Sequence, residues 1–382
     1  MRIGIDGHDL EGNRTGVGRY LIMILKAWEQ AGTLSEHEVT LFFKSEVPDD
    51  IPKDIKAVLT QPLLGKDSTA IFTHWLLPKA AKEADIDVLF CPGYVAPMIW
   101  RKPFVVTLHD IIYEAHPDLF RYHSPVDALL LRRMSRYSAK RANTVLTPSH
   151  FSAGEIMAHY EISPEKIVVT PLAPDPIFSP QRDTGTEENI LARLKISGPF
   201  LFSVGTIQTR RHIPECITAF VQATKALPSF QYLIAGSNQT DPYVDIEAAI
   251  AAANAKLKRE ALVYTPYIEG HELAHLYRAA KALVWLSEYE GFGLPPLEAQ
   301  ASGTPVITSK SASLPEAVGE CAVFVNNPED VDEIANAMER IMDDGTLAWK
   351  LSECGPKHAA NFSWETCAQK TLLALKNAAQ TT

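Results

Sequence analysis

The most informative segment of this chain is Ser287-Glu-Tyr-Glu-Gly-Phe-Gly-Leu-Pro-Pro-Leu-Glu-Ala-Gln-Ala-Ser-Gly-Thr-Pro305. The apolar run Ala282–Leu286 that precedes it is typical of a buried strand. Pro295 and Pro296 suit the first turn of a helix, because the N–H groups that proline lacks would have no partner there. The segment therefore predicts a strand, a glycine-rich turn and a helix, in that order.

This turn is predicted to bind phosphate between two carboxylates. Backbone N–H groups at a helix N-terminus attract anions, because they donate hydrogen bonds and carry the positive end of the helix dipole. Glu290 and Glu298 lie on either side of the turn, with seven residues between them, and their carboxylates can accept hydrogen bonds from hydroxyl groups. A ligand with a central phosphate and a hydroxyl-bearing ring at each end is a sugar nucleotide.

Short apolar runs alternate with helical patterns along the whole chain, and they form two sets. The predicted strands are Met1–Ile5, Val39–Phe43, Val88–Phe90, Phe104–Leu108 and Thr144–Leu146, then Phe200–Val204, Gln231–Ala235, Ala261–Tyr264, Ala282–Leu286 and Val306–Ile307. The helical patterns between them include Val17–Gln30, Pro125–Arg141, Glu272–Ala280 and Val331–Asp343. This alternation indicates α/β domains with parallel sheets covered on both faces. Since 382 residues exceed what one core usually holds, we expect two doubly wound domains.

The domain boundary is predicted from composition. The stretch from Pro171 to Gly198 is rich in proline and polar residues, which is typical of a linker. We therefore expect an N-terminal domain over 1–178 and a C-terminal domain over 199–360, and the second contains the predicted sugar-nucleotide segment. A last helix over 364–382 is expected to pack back on the first domain.

Charge and cysteine usage exclude some classes of protein. The chain has 36 basic and 46 acidic residues, a formal net charge of −10, which argues against a general nucleic-acid-binding protein. Its five cysteines are scattered, which predicts a reducing compartment with neither a disulfide framework nor structural zinc. The N-terminus reads as a strand rather than a signal peptide, and no apolar stretch approaches the roughly 20 residues that span a bilayer. We therefore expect a cytoplasmic protein.

A glycine turn follows the first predicted strand, at Arg14-Thr-Gly-Val-Gly-Arg-Tyr20. Gly16 and Gly18 would let the backbone approach a phosphate, although a plain tight turn is the alternative. The turn lacks a dinucleotide fingerprint, because Leu21 stands where a third small residue is required. We therefore expect no nicotinamide cofactor and assign the chain no cofactor.

Polar residues follow two further strands, at the ends that face the ligand crevice of a parallel sheet. His109 and Asp110 follow one of them, and a histidine there can donate or accept a hydrogen bond near neutral pH. Arg210 and Arg211 come shortly after the first strand of the second set, where a basic pair can neutralise a diphosphate. A structural histidine and two solvated arginines are the alternatives. The His-Asp pair at a strand end, followed by Tyr113, Glu114 and His116, favours a ligand site for the histidine. Combination with the segment Glu290–Glu298 favours one for the arginines.

Two more patterns each have two interpretations. His271-Glu-Leu-Ala-His275 matches the His-Glu-x-x-His zinc motif, but it also lies on an amphipathic helical pattern, so a zinc hydrolase is a minor alternative. The predicted helix 125–141 carries Arg132, Arg133, Arg136, Lys140 and Arg141 among apolar residues. This pattern predicts either the solvated face of a core helix or peripheral contact with anionic lipid head groups at the inner face of a membrane.

The chain resembles glycosyltransferase family 4, whose members are retaining enzymes. The strongest match is Glu290-Gly-Phe-Gly-Leu-Pro-Pro-Leu-Glu298, followed by Gly303-Thr-Pro-Val. Supporting matches are Gly16-Val-Gly-Arg-Tyr, Val106-Thr-Leu-His-Asp110, Thr147-Pro-Ser, Val204-Gly-Thr206 and Glu272-Leu-Ala-His-Leu-Tyr-Arg-Ala-Ala280. The resemblance spans nearly the whole chain. It implies the GT-B fold, in which two Rossmann-like parallel-sheet domains face a deep cleft. The resemblance also implies that the N-terminal domain lies on the acceptor side and that the C-terminal domain binds the nucleotide sugar.

The resemblance also implies roles for the acidic segment and its turn. Glu290 would hold hydroxyls of the donor sugar, and Glu298 would hold the ribose hydroxyls. The backbone N–H groups of Phe292, Gly293 and Leu294 would contact the sugar or the phosphates.

Further roles are implied for residues outside that segment. Arg211, beside Arg210, would neutralise the diphosphate, with His212 at a position where relatives commonly carry asparagine. Thr206 stands in the donor-binding loop where some relatives have arginine. Gly16 would approach the donor phosphate, and His109 would touch the donor sugar and help align the acceptor.

These observations predict a retaining hexosyltransferase that moves a sugar from a nucleoside-diphosphate donor to a saccharide or lipid-linked saccharide. The glycine turn resembles that of mannosyltransferases of bacterial surface polysaccharide and lipopolysaccharide synthesis, which favours GDP-mannose. UDP- or ADP-hexose and rhamnose donors stay open, as does a non-catalytic sugar-nucleotide binding protein. No Asp-x-Asp motif is placed for a divalent metal, so we expect no metal site. We assign the catalytic roles to His109, Glu290 and Arg211.

Overall fold

The structure is a computed structural model that describes residues 1–60, 68–120, 125–225 and 227–381. The chain forms two compact units. Unit 1 comprises Met1–Leu172 and Ser363–Thr382, and unit 2 comprises Ala173–Phe362. Each unit is a Rossmann-like α/β fold with one parallel sheet, so the predicted fold class is confirmed.

The sheet of unit 1 has seven parallel strands in the order β3-β2-β1-β4-β5-β6-β7. They are β1 Arg2–Asp6, β2 Glu38–Phe43, β3 Lys56–Leu59, β4 Val88–Cys91, β5 Phe104–Thr107, β6 Thr144–Thr147 and β7 Ile167–Val169. Every residue of β4 and β5 is buried, because helices cover both faces of a parallel sheet. The strand order reverses between β1 and β4, so the carboxyl ends of these strands form the crevice where such sheets bind ligands.

The helices of unit 1 before its last segment are α1 Gly16–Gln30, α2 Thr33–Glu36, α3 Thr69–Ile71, α4 Leu77–Glu83, α5 Ile112–Ala115, α6 Pro125–Arg141 and α7 His150–Tyr160. One face of α1 is buried, including Tyr20, Leu21 and Trp28. A side-chain cap starts α7, where Ser149 accepts a hydrogen bond from the N–H of Ser152.

The sheet of unit 2 has six parallel strands in the order β10-β9-β8-β11-β12-β13. They are β8 Phe200–Val204, β9 Gln231–Ala235, β10 Leu262–Thr265, β11 Ala282–Trp285, β12 Val306–Ser309 and β13 Val323–Val325. The order reverses between β8 and β11. The loops after these two strands therefore border the predicted binding crevice of this unit.

The helices of unit 2 are α8 Thr184–Arg193, α9 Ile213–Ala223, α10 Ile246–Leu257, α11 Gly270–Ala279, α12 Leu294–Ala301, α13 Leu314–Val318, α14 Val331–Asp343 and α15 Gly345–Ala359. Asp330 caps α14 by accepting hydrogen bonds from the N–H groups of Asp332 and Glu333. The buried stripe of α14, with Ile334, Met338 and Ile341, joins the core beside α9. Amphipathic periodicity thus accounts for this contact.

The last helix, α16 Trp364–Ala379, belongs to unit 1. Ser363 caps it by accepting a hydrogen bond from the N–H of Thr366. The indole N–H of Trp28 on α1 donates to the carbonyl oxygen of Ala368 over 3.0 Å. A buried tertiary hydrogen bond therefore fixes this helix on α1.

The structure differs from the predicted elements in the interdomain stretch and at sheet edges. Part of the proline-rich stretch 171–198 forms α8, which Asp183 caps and which buries Ile190. The strands β3 and β7 lie at the edges of their sheet and are largely unburied, and β13 has only three residues. Short or half-exposed strands lack the long apolar run on which the prediction depended.

The scattered cysteines predicted no disulfide framework, but one pair is bonded. Cys321 and Cys354 form a disulfide in unit 2, with their Cα atoms 5.6 Å apart. Packing brings together two cysteines that are 33 residues apart in sequence, which spacing alone did not indicate. The other three, Cys91, Cys216 and Cys367, are free and buried.

Candidate functional site

The loops after β8 and β11 meet at the strand-order reversal of unit 2. Between them lies a cavity of about 10 Å³, with Gly205, Thr206, Arg211 and Trp285 among its lining residues. That space is roughly what one buried water occupies. The cavity therefore places two predicted donor-binding residues, Thr206 and Arg211, beside Trp285 from a distant part of the sequence.

Arg211 is the central charged group of this site. Its guanidinium carbon lies 3.6 Å from the ring centroid of Trp285, a cation–π contact. One guanidinium nitrogen, Nη2, lies 3.1 Å from Oε1 of Glu290, and each of the two side chains is 14% exposed. Burial lowers the pKa of Arg211, the carboxylate of Glu290 opposes that shift, and Arg210 adds to it. The guanidinium nevertheless stays protonated at neutral pH, because an arginine pKa starts so high.

Glu290 and Arg211 form an ion pair rather than an aligned hydrogen bond. Oε1 of Glu290 is buried and has no hydrogen-bond donor among the described residues, although Nη2 of Arg211 is close. Buried acceptors are usually hydrogen-bonded. The carboxylate is thus able to accept a hydrogen bond from a hydroxyl group.

Two further contacts join the Arg211 loop to the loop after β11. The N–H of Glu288 donates to the carbonyl oxygen of Arg210 over 3.1 Å, and Nε2 of His212 lies 3.1 Å from Oε1 of Glu288. His212 has φ +50, in the left-handed region. Histidine is one of the non-glycine residues that enter this region most readily, which agrees with its presence at this position.

The glycine turn before α12 has the geometry expected for an anion-binding turn. Gly293 caps the helix with φ +114, and a Cβ there would meet Leu314 at 3.0 Å, so only glycine fits without strain. Ser313 donates to the carbonyl oxygens of Glu290 and Phe292 over 2.7 and 2.8 Å. Within the described part of the chain, no acceptor lies within hydrogen-bond distance of the N–H groups of Phe292, Gly293 and Leu294. These groups are available to an anion.

Glu298 lies on α12 and is 8% exposed. The hydroxyl group of Tyr277 donates to its Oε2 over 3.4 Å. The side chain is therefore less accessible than that of Glu290, and its predicted contact with ribose hydroxyls stays a prediction.

In unit 1, His109 follows β5 and lies in an aromatic surrounding. Its Nε2–H donates to the carbonyl oxygen of Pro92 over 2.9 Å, and Tyr20 meets its ring edge-on at 4.8 Å between centroids. Burial lowers the pKa of His109 to about 4, while the bond to Pro92 opposes the shift. The imidazole is therefore neutral at pH 7, with Nδ1 as a hydrogen-bond acceptor.

The two glycines at the start of α1 have different functions. A Cβ on Gly18 would collide with the carbonyl oxygen of Asp9, whereas a Cβ on Gly16 would meet nothing within 4 Å. Gly18 is thus needed for packing inside unit 1. The space beside Gly16 agrees with its predicted approach to a phosphate, which stays a prediction.

Sequence reasoning did not single out His8, which follows β1 at the strand-order reversal of unit 1. Its Nδ1 lies 2.6 Å from Oδ1 of the buried Asp6. Burial alone would lower the pKa of His8, but Asp6, then Asp9 and Glu11, raise it to about 9. Its place directly after the first strand was the available signal. Trp285 was likewise read only as a strand residue.

The His-Glu-x-x-His string shows no metal-binding geometry. Nδ1 of His271 lies 3.3 Å from Glu269, and Nδ1 of His275 lies 3.0 Å from the guanidinium of Arg278. In the described ranges, no group of three or more His, Cys, Asp or Glu side chains is positioned for a metal ion. Nothing in this geometry supports the zinc hydrolase alternative.

Two family models match the chain. The model described as Glycosyl transferases group 1 matches residues 187–358, and the model described as Glycosyltransferase Family 4 matches residues 14–176. The chain is also 30% identical, over 383 residues, to the O-antigen chain mannosyltransferase B of Escherichia coli, covering 95% of this chain and 96% of that protein. This chain belongs to glycosyltransferase family 4.

The family-4 protein has the GT-B fold and is a retaining glycosyltransferase, as predicted. Its fold is similar to that of sucrose-phosphate synthase from Thermosynechococcus elongatus, with a TM-score of 0.75, 19% identity and full coverage of both chains. It is also similar to the Anabaena protein HepE in complex with UDP-glucose, with a TM-score of 0.73, 18% identity and 99% and 100% coverage. At these identities the structures support the fold alone.

Proposed function

We propose that this family-4 enzyme transfers a hexose, mannose from GDP-mannose, to a saccharide or lipid-linked saccharide in surface polysaccharide synthesis. The observation that carries the proposal is the arrangement in unit 2 of Arg211, Glu290 and the glycine turn before α12. It combines a buried cation, a carboxylate with an unpaired acceptor and free N–H groups. These are the groups that a diphosphate and a hydroxyl-bearing sugar require.

Mannose is proposed from the relative in Escherichia coli, whose name describes an O-antigen chain mannosyltransferase. The Anabaena protein shares the fold at 18% identity and was solved with UDP-glucose. A UDP-hexose is therefore the alternative donor. The decisive experiment is calorimetric titration with GDP, UDP and ADP. We expect GDP to bind tightest. Tighter binding of UDP or ADP would overturn GDP-mannose, and failure of all three to bind would overturn nucleoside-diphosphate recognition itself.

The proposed catalysis depends on stabilising the leaving group. When the glycosidic bond to the diphosphate breaks, negative charge grows on the departing phosphate oxygen. Arg211, with Arg210 beside it and the N-terminus of α12, would stabilise that charge in a site of low polarity. We propose front-face attack assisted by the leaving phosphate. Trapping of a covalent glycosyl–enzyme adduct would contradict it.

His109 is proposed to act as a neutral hydrogen-bond acceptor. Its Nε2–H is already bonded to Pro92, so only Nδ1 is left to accept a hydrogen bond from a sugar hydroxyl group. Because its pKa of about 4 lies far below neutrality, transfer should not depend on the protonation of His109 between pH 6 and pH 8. Activity that falls steeply on acidification within this window, in the unaltered protein but not in His109→Gln, would contradict this role.

We further propose that transfer needs neither a metal ion nor a cofactor. The positive charge that a divalent ion would supply is provided by Arg211 and the N-terminus of α12. The test is transfer activity after extensive chelation with EDTA, which we expect to be unchanged. A loss of activity that Mg²⁺ or Mn²⁺ restores would overturn the proposal.

Membrane contact through α6 is a separate proposal. In the described part of the chain, no helix is both long and apolar enough to cross a membrane. The basic residues of α6 are mostly paired: Arg132 and Arg136 lie 2.7 and 3.7 Å from Glu114, and Lys140 lies 3.0 Å from Glu161. Leu129 and Leu130, however, are 49% and 50% exposed, so the apolar residues carry the proposal.

The membrane test uses vesicles of phosphatidylglycerol and a matched pair of variants. Leu130→Glu is expected to reduce co-sedimentation with the vesicles. Leu373→Glu, on the 58% exposed leucine of α16, is expected to leave it unchanged. Equal binding by both variants would remove α6 from the membrane contact.

A further inference from the structure

Trp285 has a contact and a buried polar atom that the roles described above do not explain. The side chain is 4% exposed, and in the described ranges no acceptor is within reach of its buried indole N–H. Buried tryptophans usually place this N–H against an acceptor. Trp285 lies at the end of a core strand, and the guanidinium of Arg211 lies over its ring. This contact suggests that the position of the tryptophan serves the arginine.

The backbone around Trp285 holds the ring firmly. Trp285 pairs with Thr308 of β12 in the sheet, and the hydroxyl group of Thr308 donates to the carbonyl oxygen of Trp285 over 2.8 Å. On the other side, Gly205 has φ +103, and a Cβ there would lie 3.4 Å from the indole and 3.5 Å from Nη1 of Arg211. The ring is thus attached to the sheet, and Gly205 lies within van der Waals reach of both the indole and the guanidinium.

The second partner of Arg211 is held differently. Glu290 lies in the loop after β11, and Ser313 fixes its carbonyl oxygen, but its carboxylate contacts Nη2 without an aligned hydrogen bond. Such a contact is weaker than a charge-assisted hydrogen bond with good geometry. A phosphate, which can accept two aligned hydrogen bonds from one guanidinium, competes well for the same nitrogens.

We propose that Trp285 is the fixed support of the Arg211 guanidinium and that Glu290 is its exchangeable partner. The diphosphate of the donor takes Arg211 from Glu290, and the released carboxylate accepts hydrogen bonds from sugar hydroxyl groups. The indole holds the guanidinium plane through this exchange. Trp285 is therefore a positioning residue that acts through Arg211. The proposal rests on the proposed role of Arg211 in binding the donor diphosphate.

The first test is a double-mutant cycle read out by the dissociation constant of GDP, UDP or ADP, whichever binds tightest. Trp285→Leu is expected to weaken binding roughly 2- to 30-fold, the range of a cation–π contact. Trp285→Phe, which keeps an aromatic face, should restore most of that loss. In an Arg211→Ala background, Trp285→Leu should cause no further loss, because the residue acts through the arginine.

A control separates positioning from general damage to the core. Phe220 on α9 is fully buried and packs on Tyr232, with ring centroids 5.3 Å apart. Phe220→Leu should lower the thermal midpoint of unfolding, as Trp285→Leu does, without weakening nucleotide binding. If Trp285→Leu weakens binding equally with and without Arg211, or not at all, the positioning role is wrong.

The second test concerns the exchange. Glu290→Gln removes the competing charge, so it is expected to tighten binding of the nucleoside diphosphate roughly 2- to 5-fold. The same variant should lose the extra affinity that the sugar confers when GDP-mannose is compared with GDP. Weaker binding of the nucleoside diphosphate by Glu290→Gln would overturn the exchange. Unchanged binding by Arg211→Ala would instead refute the proposed function of Arg211, and with it this inference.

Discussion

The loops at the strand-order reversals of the two sheets carry different kinds of side chain. In unit 2, the loops after β8 and β11 carry a buried arginine, its carboxylate partner and free N–H groups of a helix terminus. In unit 1, the loop after β5 carries a neutral His109 among aromatic rings, and the charge of His8 is matched by Asp6. The difference supports our proposal that unit 2 binds the charged diphosphate, because unit 1 offers hydrogen bonds suited to uncharged hydroxyl groups.

Arg211→Ala should have the largest effect, because it removes the buried charge of unit 2. Charge-assisted hydrogen bonds contribute roughly 1.5–3 kcal/mol each, so kcat/KM for transfer should fall by about 10- to 100-fold or more. Arg193→Ala is the matched control, since Arg193 is 57% exposed and pairs with Glu272 on the same unit; it should change transfer by less than about 2-fold. Turnover near that of the unaltered protein in Arg211→Ala would remove Arg211 from the site.

Substitutions of Glu290 and Glu298 should affect transfer differently. Glu290→Ala is expected to lower turnover roughly 10-fold or more, because its carboxylate is the more exposed and has an unpaired acceptor. Glu298→Ala should act mainly on donor affinity and on stability, since Glu298 is buried beside Tyr277. Steady-state kinetics and thermal unfolding of both variants measure this. Equal and small effects would contradict the separate roles.

Substitution of one glycine in each unit tests the backbone at the two sites rather than their charge. Gly293→Ala should destabilise unit 2 by about 1–3 kcal/mol, because φ is +114 and the new Cβ meets Leu314. Gly16→Ala in unit 1 should change the free energy of unfolding by less than about 0.5 kcal/mol, since its Cβ would meet nothing, yet weaken nucleoside-diphosphate binding. Denaturant titration and calorimetry test both. Gly16→Ala with unaltered binding would show that this glycine approaches no phosphate.

The smallest expected effect is on stability. The contributions of His8 and His109 to the free energy of unfolding should depend on pH in opposite directions. The folded pKa of His8, about 9, exceeds its ordinary value of 6.5, so its stabilisation is complete below pH 6.5 and is lost as pH rises through 9. The folded pKa of His109, about 4, lies below 6.5, so its stabilisation is present above pH 6.5 and is lost as pH falls towards 4.

Unfolding free energies of His8→Gln and His109→Gln test these opposite signs. The difference between the unaltered protein and His8→Gln should shrink by about 1 kcal/mol from pH 7 to pH 9.5, allowing for partial solvent screening. For His109→Gln, the difference should stay constant in that window and shrink below pH 6.5. The same sign for both histidines would contradict the electrostatic contrast within unit 1.

Much of the architecture was readable from local patterns. The bounds of β8 and β9 match the apolar runs Phe200–Val204 and Gln231–Ala235, and α6 and α14 match their predicted spans. The edge strands β3, β7 and β13 were not found, because short or half-exposed strands leave a weak apolar signal. The helix α8 was hidden in a stretch whose prolines suggested a linker.

The candidate site was predictable only in part, for a similar reason. The acidic segment with its glycine turn was visible because Gly293, Pro295 and Pro296 mark a turn and a helix start through their own backbone preferences. Trp285 was read as one more apolar strand residue, since nothing in its neighbours reveals that a guanidinium lies on its ring. His8 was overlooked because its charge depends on Asp6, whose burial at the end of β1 is visible only in the folded protein.

Alternation of apolar runs with helical patterns, and the order of residues in the segment from Ser287 to Pro305, were enough to indicate two Rossmann-like units and a phosphate-binding turn. These features follow from periodicity and backbone preference, which act between near neighbours in the chain. The pairing of Arg211 with Glu290, the support from Trp285, the raised pKa of His8 and the Cys321–Cys354 bond became visible only in three dimensions. The arginine, tryptophan and cysteine contacts join groups that only folding brings together, and the raised pKa of His8 depends on how deeply folding buries it beside its near neighbour Asp6.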